Sequence, residues 1–154
     1  TTEELDAFLA GVNRAADRPL LNHHGTLPRD SVAELFASAD VFLDMSHWQA
    51  WGRTGLEAMA AGCVPVLPKG SGASEYAVHD ANAKLADTSN PDEAVAAIDH
   101  LVGDPATLDR LRTAALATAG DFDLAGASLS MLRLLCDHLD TKLARALLMP
   151  SPIR

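Results

Sequence analysis

The chain has 154 residues, 48% apolar and 5% aromatic, enough for one domain whose core is built mainly from aliphatic and alanine side chains. Twelve Lys plus Arg against 21 Asp plus Glu leave a formal net charge of −9, which excludes a general electrostatic attraction to nucleic acid or to an anionic membrane. Any anionic ligand must therefore be held by a local arrangement of donors.

The first expected element is a helix over residues 4–16, where Leu5, Phe8, Leu9 and Val12 form an apolar stripe. A short strand over 20–25, LLNHHG, follows and ends at Gly25. DSVAELFASA, 30–39, is helical. DVFLDMS, 40–46, carries Val41, Phe42 and Leu43 in a run too dense for a half-exposed strand, which predicts a central one. TGLEAMAAG, 54–62, is a short helix closed by Gly62, and CVPVLPKG, 63–70, is the next strand. SGASEYAVHDAN, 71–82, is a loop with one helical turn, and AKLADT, 83–88, a further strand. Asn90 and Pro91 open a helix to about Leu101, Asp104 and Pro105 open another to about Ala119, and a long one runs from Leu124 to about Leu148. Strands alternating with helices predict a doubly wound parallel α/β sheet.

The apolar runs ADVFLDM and CVPVL are far shorter than the roughly 18 residues a membrane span needs, and no basic segment followed by an apolar one opens the chain. A soluble, cytoplasmic location is expected. Cys63 and Cys136 stand in apolar contexts, which favours two buried thiols over a disulfide. The chain lacks an initiator methionine and enters the pattern on a helix, so an N-terminally truncated domain is expected, with an exposed sheet edge open to a second copy or to the absent part of its own chain. Leu129, Leu132, Leu135, Cys136, Leu139, Leu143 and Leu147 form a stripe on the last helix that reads as a core face, and MPSPIR, 149–154, is a tail.

Chemistry concentrates in SHWQAWGRTGLEAMAAG, Ser46 to Gly62, which joins the C-terminal end of a strand to the N-terminus of a helix. In open α/β sheets ligands bind beyond those strand ends, and a helix N-terminus offers unpaired N–H groups with about half a positive charge. Gly52 and Gly55 would let an anionic group reach the backbone, and Glu57 would accept from hydroxyls beyond it. A sugar phosphate or nucleotide is the guest this chemistry suits. A second reading stands beside it: Thr54-Gly55-Leu56-Glu57 also fits a capping box, in which the threonine caps the helix and the glutamate returns to its N–H. Spacing alone does not decide between them.

The stretch from His23 to Thr88 resembles the nucleotide-sugar-binding C-terminal domain of the retaining, two-domain GT-B glycosyltransferases, in the glycosyl transferases group 1 family. The likeness covers about residues 20–122. It rests on Gly25, on Ala39-Asp40 leading into Val41, on Ser46, on Glu57 within EAMAAGCVPV, and on Gly70, Gly72 and Glu75. The resemblance implies that Glu57 holds the ribose hydroxyls and that amides at Gly55 and Leu56 face the diphosphate or the donor sugar. One departure stands out: Gln49 occupies the place of the family's first glutamate, which contacts the donor sugar, and Gln cannot carry charge or act as a base. The family mechanism is front-face, assisted by the donor phosphate, with no obligatory protein nucleophile and no metal or other cofactor expected.

Gln49 and Glu57 are the candidate catalytic residues, and Ser46, Gly52, Arg53, Thr54, Gly55, Leu56 and Glu57 the candidate donor-binding set. Arg53 and Lys69 are open between phosphate contact and solvation, and Ser71, Gly72 and Glu75 between phosphate binding and capping. Trp48 and Trp51 are open between sugar stacking and packing, and His47 between donor contact and a structural role. His23 and His24 would face opposite sides of a strand and cannot share a metal. The expected partners are a nucleotide-sugar donor and an acceptor-binding domain outside this chain, with no nucleic acid. Residues 1–148 would then form a nucleotide-sugar-binding domain, the Rossmann-like half of a GT-B fold. The alternative is a non-catalytic nucleotide-binding or assembly module that keeps the fold. A regulatory α/β domain is a third reading, but only Asp44 is placed as its acidic phosphoacceptor would be.

Overall fold

The computed structural model describes residues 3, 4, 7, 10, 11 and 21–138. The chain divides into two compact units, Thr1–Val32 and Ala33–Arg154. In the first, residues 3, 4, 7, 10 and 11 are helical, the last four within the expected helix 4–16, whose stripe residues Leu5, Phe8, Leu9 and Val12 lie outside the described residues. The expected strand over 20–25 is not formed in its described part, 21–25. All five of those residues are exposed and Gly25 takes φ +61°, so the segment has no buried face to hold against a sheet.

The described elements are α1 (Arg29–Ala37), β1 (Val41–Leu43), α2 (Arg53–Ala60), β2 (Val64–Pro68), a 3-10 turn (Gly72–Glu75), β3 (Lys84–Ala86), α3 (Pro91–Gly103), α4 (Pro105–Gly120) and α5 (Leu124–His138). The three strands form one parallel sheet in the order β1-β2-β3, with Val41 opposite Val64 and Val66 opposite Lys84. The predicted doubly wound α/β class is what forms.

Among the described residues, however, the central strand is β2 and not β1. All five residues of β2 are buried, whereas Leu43 of β1 is 44% exposed and the outer edge of β1 has no strand partner among the described residues. Two prolines sit in this central strand, where a missing N–H would ordinarily break the ladder. Parity resolves the conflict. Even positions bond to β1 (Val64 N to Asp40 O at 2.9 Å, Asp44 N to Val66 O at 3.0 Å) and odd positions to β3 (Lys69 N to Ala86 O at 2.9 Å). Pro65 therefore points its missing donor toward β3 before that pairing begins at Val66, and Pro68 points its own toward β1 after pairing ends.

The alternation of β2 distributes the core into two layers. Val64 and Val66 pack with Ala86, Ala94, Leu101 and Leu111 under α3 and α4, while Leu67 packs on the opposite face with Leu56 and Met59 of α2, Tyr76 and Ala115. α4 feeds both layers. Helix α2 ends in a Schellman motif: Cys63 N bonds Ala58 O at 3.0 Å and Gly62 N bonds Met59 O at 3.1 Å, with Gly62 at φ +93°. Cys63 is a buried thiol, raised above its usual range by burial, with Sγ 2.9 Å from Phe36 O. Arg112 of α4 closes the base of the layer, donating to Gly62 O (3.0 Å), Asp40 (2.7 Å) and Asp109 (2.8 Å).

Helix α5 contradicts the expected core face. None of its residues is buried, and Leu129, Leu132 and Leu135 are each more than 40% exposed; Cys136 is half-buried. Leu139, Leu143 and Leu147, the predicted continuation to Leu148 and the tail 149–154 lie outside the described residues. No described helix is long and apolar enough to cross a membrane.

Two outcomes follow from this packing. Arg112→Met keeps the apolar stem but strands the Gly62 carbonyl and the Asp40 carboxylate, and should lower unfolding free energy by about 1–2 kcal/mol in urea titration. Four carboxylates are held below their ordinary range, chiefly by one side-chain hydrogen bond each: Asp80 from Lys84, Asp87 from Ser89, Glu93 from Lys69 and Asp104 from Thr107. Because these pKa values are lower folded than unfolded, the stabilisation is present above about pH 4 and is lost as pH falls through the depressed values. The urea midpoint should therefore be flat from about pH 5 to 7 and drop below about pH 4, less steeply in Asp104→Asn, which keeps a capping oxygen but does not titrate.

Candidate functional site

The crevice lies where β1 ends and α2 begins. Asp44 is the first residue past β1; its N–H is still tied to Val66 O, and its carboxylate accepts from Ser46 N at 2.8 Å and from Gln49 Nε2. Gln49 thus has its side-chain nitrogen taken, while its Oε1 is buried with no hydrogen-bond partner. Its backbone oxygen accepts from Gly72 N at 3.1 Å. Ser46 and His47 are exposed, the latter with Nδ1 3.1 Å from Thr88 Oγ1.

Gly52 caps α2 in the left-handed region, φ 78° and ψ 43°, with no side-chain cap bond. This removes the capping-box reading. Thr54 is already inside the helix, and Glu57 pairs with Arg53 across one turn at 3.4 Å. Arg53 is 81% exposed and Glu57 38% exposed, so both can reach a ligand. The Gly55 N–H is taken by Gly52 O at 3.0 Å. Arg53 and Thr54, first and second in the helix, carry the N–H groups that have no intrahelical acceptor.

Tyr76 is the central contact of this region. Its hydroxyl donates to Gly52 O, and its ring meets Trp51 at 5.6 Å and Phe122 at 6.2 Å. Burial first, and then the Asp44 charge, push the phenol up to about 12, so it stays a donor at neutral pH. Trp51 is consequently a packing residue, whereas Trp48 is 81% exposed. The glycines are matched to these neighbours. A Cβ at Gly52 would lie 2.5 Å from Gln49 Oε1, one at Gly55 would lie 2.6 Å from the Tyr76 hydroxyl, and one at Gly72 would lie 1.9 Å from the Ala50 carbonyl oxygen.

The second loop is structural in its described contacts. Ser71 caps the 3-10 turn by accepting from Ala73 N at 3.3 Å, and Ser74 N bonds Ser71 O at 3.1 Å, so together with Gly72 its amides are engaged within the protein. Glu75 is exposed in that turn, and Lys69 pairs with Glu93 at 2.5 Å. A separate cavity of about 300 Å³ beside β3 and α3 is lined by Lys69, His79, Lys84, Glu93 and His100. Its lysines already face carboxylates, Lys69 on Glu93 and Lys84 on Asp80, each at 2.5 Å. Among the described residues no group of three or more His, Cys, Asp or Glu is placed to hold a metal ion.

Tyr76 is not singled out by the sequence pattern, and Asp44 only as the position a regulatory domain's phosphoacceptor would take. Asp44 has a readable signal, an Asp closing an apolar strand two residues before an accepting turn. Tyr76 has none, because its partner Gly52 is far away in the chain and only the fold brings them together.

A parallel α/β sheet with a helix starting at Gly52, beyond the end of its β1 strand, has the layout of a Rossmann-like domain. The model of the family described as Glycosyl transferases group 1 matches residues 12–118, and the chain belongs to that family. Among solved structures it is similar to Anabaena Alr3699/HepE in complex with UDP, at 25% identity and a TM-score of 0.64 over 68% of this chain and 29% of that one. It shares its fold with the sucrose-phosphate synthase of Thermosynechococcus elongatus (18% identity, TM-score 0.76, 90% of this chain and 34% of that one). It also shares it with the C-terminal domain of a group 1 glycosyl transferase, LpcC, from Francisella tularensis (18%, TM-score 0.67, 79% and 61%). The chain spans about a third of the length of the first two. Among curated proteins none matches.

The contact at Gly72 is testable. Gly72→Ala should force the two loops apart, because its Cβ would meet backbone and not a flexible side-chain tip. Loss of about 2 kcal/mol or more by urea unfolding is expected, with Trp51 fluorescence shifting toward that of an exposed indole.

Proposed function

We propose that the crevice beyond β1 is the donor site of a glycosyltransferase that moves a sugar, with retention, from a nucleotide-diphosphate sugar to a glycan, lipid or small-molecule acceptor. The state of Glu57 carries this reading. It is a partly exposed carboxylate one turn into α2, and capping does not take up its oxygens. A ribose diol would donate to it, as a diol donates to the acidic residue of dinucleotide folds. The diphosphate would then lie against the Arg53 and Thr54 N–H groups, favoured by the helix dipole. In this reading Arg53 leaves Glu57 for a phosphate oxygen, which frees the carboxylate for the ribose.

The chemistry asked of the chain is positioning and charge neutralisation. The acceptor hydroxyl passes its proton to a donor phosphate oxygen as the new bond forms on the face the diphosphate leaves, with no protein nucleophile and no metal. Gln49 suits this mechanism, because it can position a sugar hydroxyl but cannot act as a base. The acceptor would be held by a domain outside these residues, so the chain alone would bind donor without efficient turnover. The similar structures that are described as bound to UDP, UDP-glucose or UDP-2-fluoro glucose make uridine nucleotides the first to test. Gln49 also favours a second reading, a non-catalytic nucleotide-binding module, which turnover by the full-length gene product would exclude.

The test is calorimetric titration with the diphosphates of uridine, guanosine, adenosine and thymidine. One nucleotide should bind selectively, and Glu57→Ala should weaken it by about tenfold to a hundredfold with unchanged circular dichroism. No binding, or binding indifferent to Glu57, would overturn the donor-site reading.

A further inference from the structure

Gln49 presents an anomaly of polar satisfaction. A buried side-chain oxygen without a partner is rare, and each instance calls for an explanation. Here Nε2 donates to the Asp44 carboxylate, and Oε1 is turned toward Gly52 with no partner. The opposite amide orientation would set Oε1 against that carboxylate, acceptor against acceptor. The main chain gives no freedom to avoid the choice: the Gln49 carbonyl is held by Gly72 N at 3.1 Å and Asp44 by Val66 O at 3.0 Å. The other oxygen of Asp44 is held by Ser46 N at 2.8 Å.

We propose that Asp44 is a positioning residue whose charge fixes the Gln49 amide with its buried Oε1 against Gly52, so that a donor-sugar hydroxyl reaching Gly52 would find that oxygen as its acceptor, while the pair's one negative charge resides at 44 instead of 49. The orientation rests on the donor-site reading above; the pairing does not. It also accounts for Gln at 49. A glutamate there would face a second carboxylate across hydrogen-bond distance, and such pairs ionise fully only at a cost, so one member takes up a proton at raised pH. Exchanging the two side-chain types removes the conflict. In an Asp44→Asn/Gln49→Glu double variant, the Asn Nδ2 donates to the glutamate and its Oδ1 still accepts from Ser46, while the second glutamate oxygen faces Gly52.

Two measurements on the full chain separate the pairing from the donor reading. The first is thermal unfolding from pH 4 to 8 for wild type, Gln49→Glu, Asp44→Asn and the double variant. Gln49→Glu should lose about 3 °C or more at pH 8 and recover as pH falls, and the double variant should return close to wild type at every pH. The Tyr76 hydroxyl, which feels the Asp44 charge, stays neutral over this range, and Arg53 and Glu57 of α2 pair with each other. Additive losses, or a Gln49→Glu profile parallel to wild type, would overturn the pairing. The second is the ratio of UDP to UDP-glucose dissociation constants. Asp44→Asn should reduce the gain from the glucose moiety by about threefold to tenfold, with UDP affinity unchanged and the ratio restored in the double variant. Coupled unfolding with an unchanged ratio, measured with whichever of the four nucleoside diphosphates binds and its glucose conjugate, would overturn the donor-facing role, and absence of binding of all four in the wild type would overturn that role together with the donor reading while the unfolding cycle still decides the pair.

Discussion

The approach of two loops, one after β1 and one after β2, is the constraint on which the crevice depends. Gly72 lies so close to the Ala50 carbonyl that no side chain fits between them, and its N–H holds the Gln49 carbonyl. Tyr76 then reaches back over the same junction to the carbonyl of Gly52, which starts α2. The first turn of α2 is therefore anchored from the neighbouring loop and not by a capping side chain of its own. A self-capped helix would have used a Ser, Thr or Asp at its start, whose oxygen would occupy the N–H groups a ligand could otherwise use. Anchoring through Tyr76 stabilises the turn and leaves the N-terminal amides and Glu57 available.

Electrostatics follow the same division between structural and available groups. The net charge of −9 means that the surroundings repel an anion, and most cations near the sheet ends are already matched. Lys69 lies on Glu93, Lys84 on Asp80, and Arg112 on Asp40 and Asp109. These pairs explain why the cavity beside β3 is a poor anion site despite its lysines: a ligand there would have to displace a carboxylate already in contact. Arg53 differs in kind. Its partner Glu57 is on the same helix face, at a longer distance and with both groups open to water, where such a pair contributes well under 1 kcal/mol. Little would be lost if a phosphate took the place of Glu57.

The strands after residue 40 and the helices from α2 onward were legible because local signals agree there. The Gly62 stop, the Asn90-Pro91 and Asp104-Pro105 starts and the apolar run of β2 all sit where the backbone uses them. Order within the sheet was not legible. The run at Val41–Leu43 is as apolar as that of β2, and only pairing distinguishes an edge from a centre. LLNHHG failed for the related reason that a strand needs a neighbour, which local composition does not supply. At the site, the position of Gln49 and Glu57 could be read from the joint between strand and helix. The role of Tyr76 could not, since it depends on the approach of distant loops, and the capping box matched in spacing while the backbone began the helix at Gly52, two residues before Thr54.

A carboxylate beside a bound diphosphate would seem to oppose anion binding, yet the position of Glu57 reconciles the two. At the N-terminal end of α2 the dipole favours negative charge, and a side chain one turn in lies beyond the amides that a phosphate would use. Carboxylate and phosphate can then occupy successive places along the same positive end, with Arg53 between them. Without ligand, Arg53 neutralises Glu57; with a phosphate bound, it can bridge or transfer. Asp44 is held by Ser46 N and the Gln49 amide, and its charge would face the sugar through a neutral side chain. Such spacing keeps the formal negative charges of the crevice apart. A glutamate at 49 would remove that separation, which is a physical reason for this chain to keep the amide where the resemblance implies an acid.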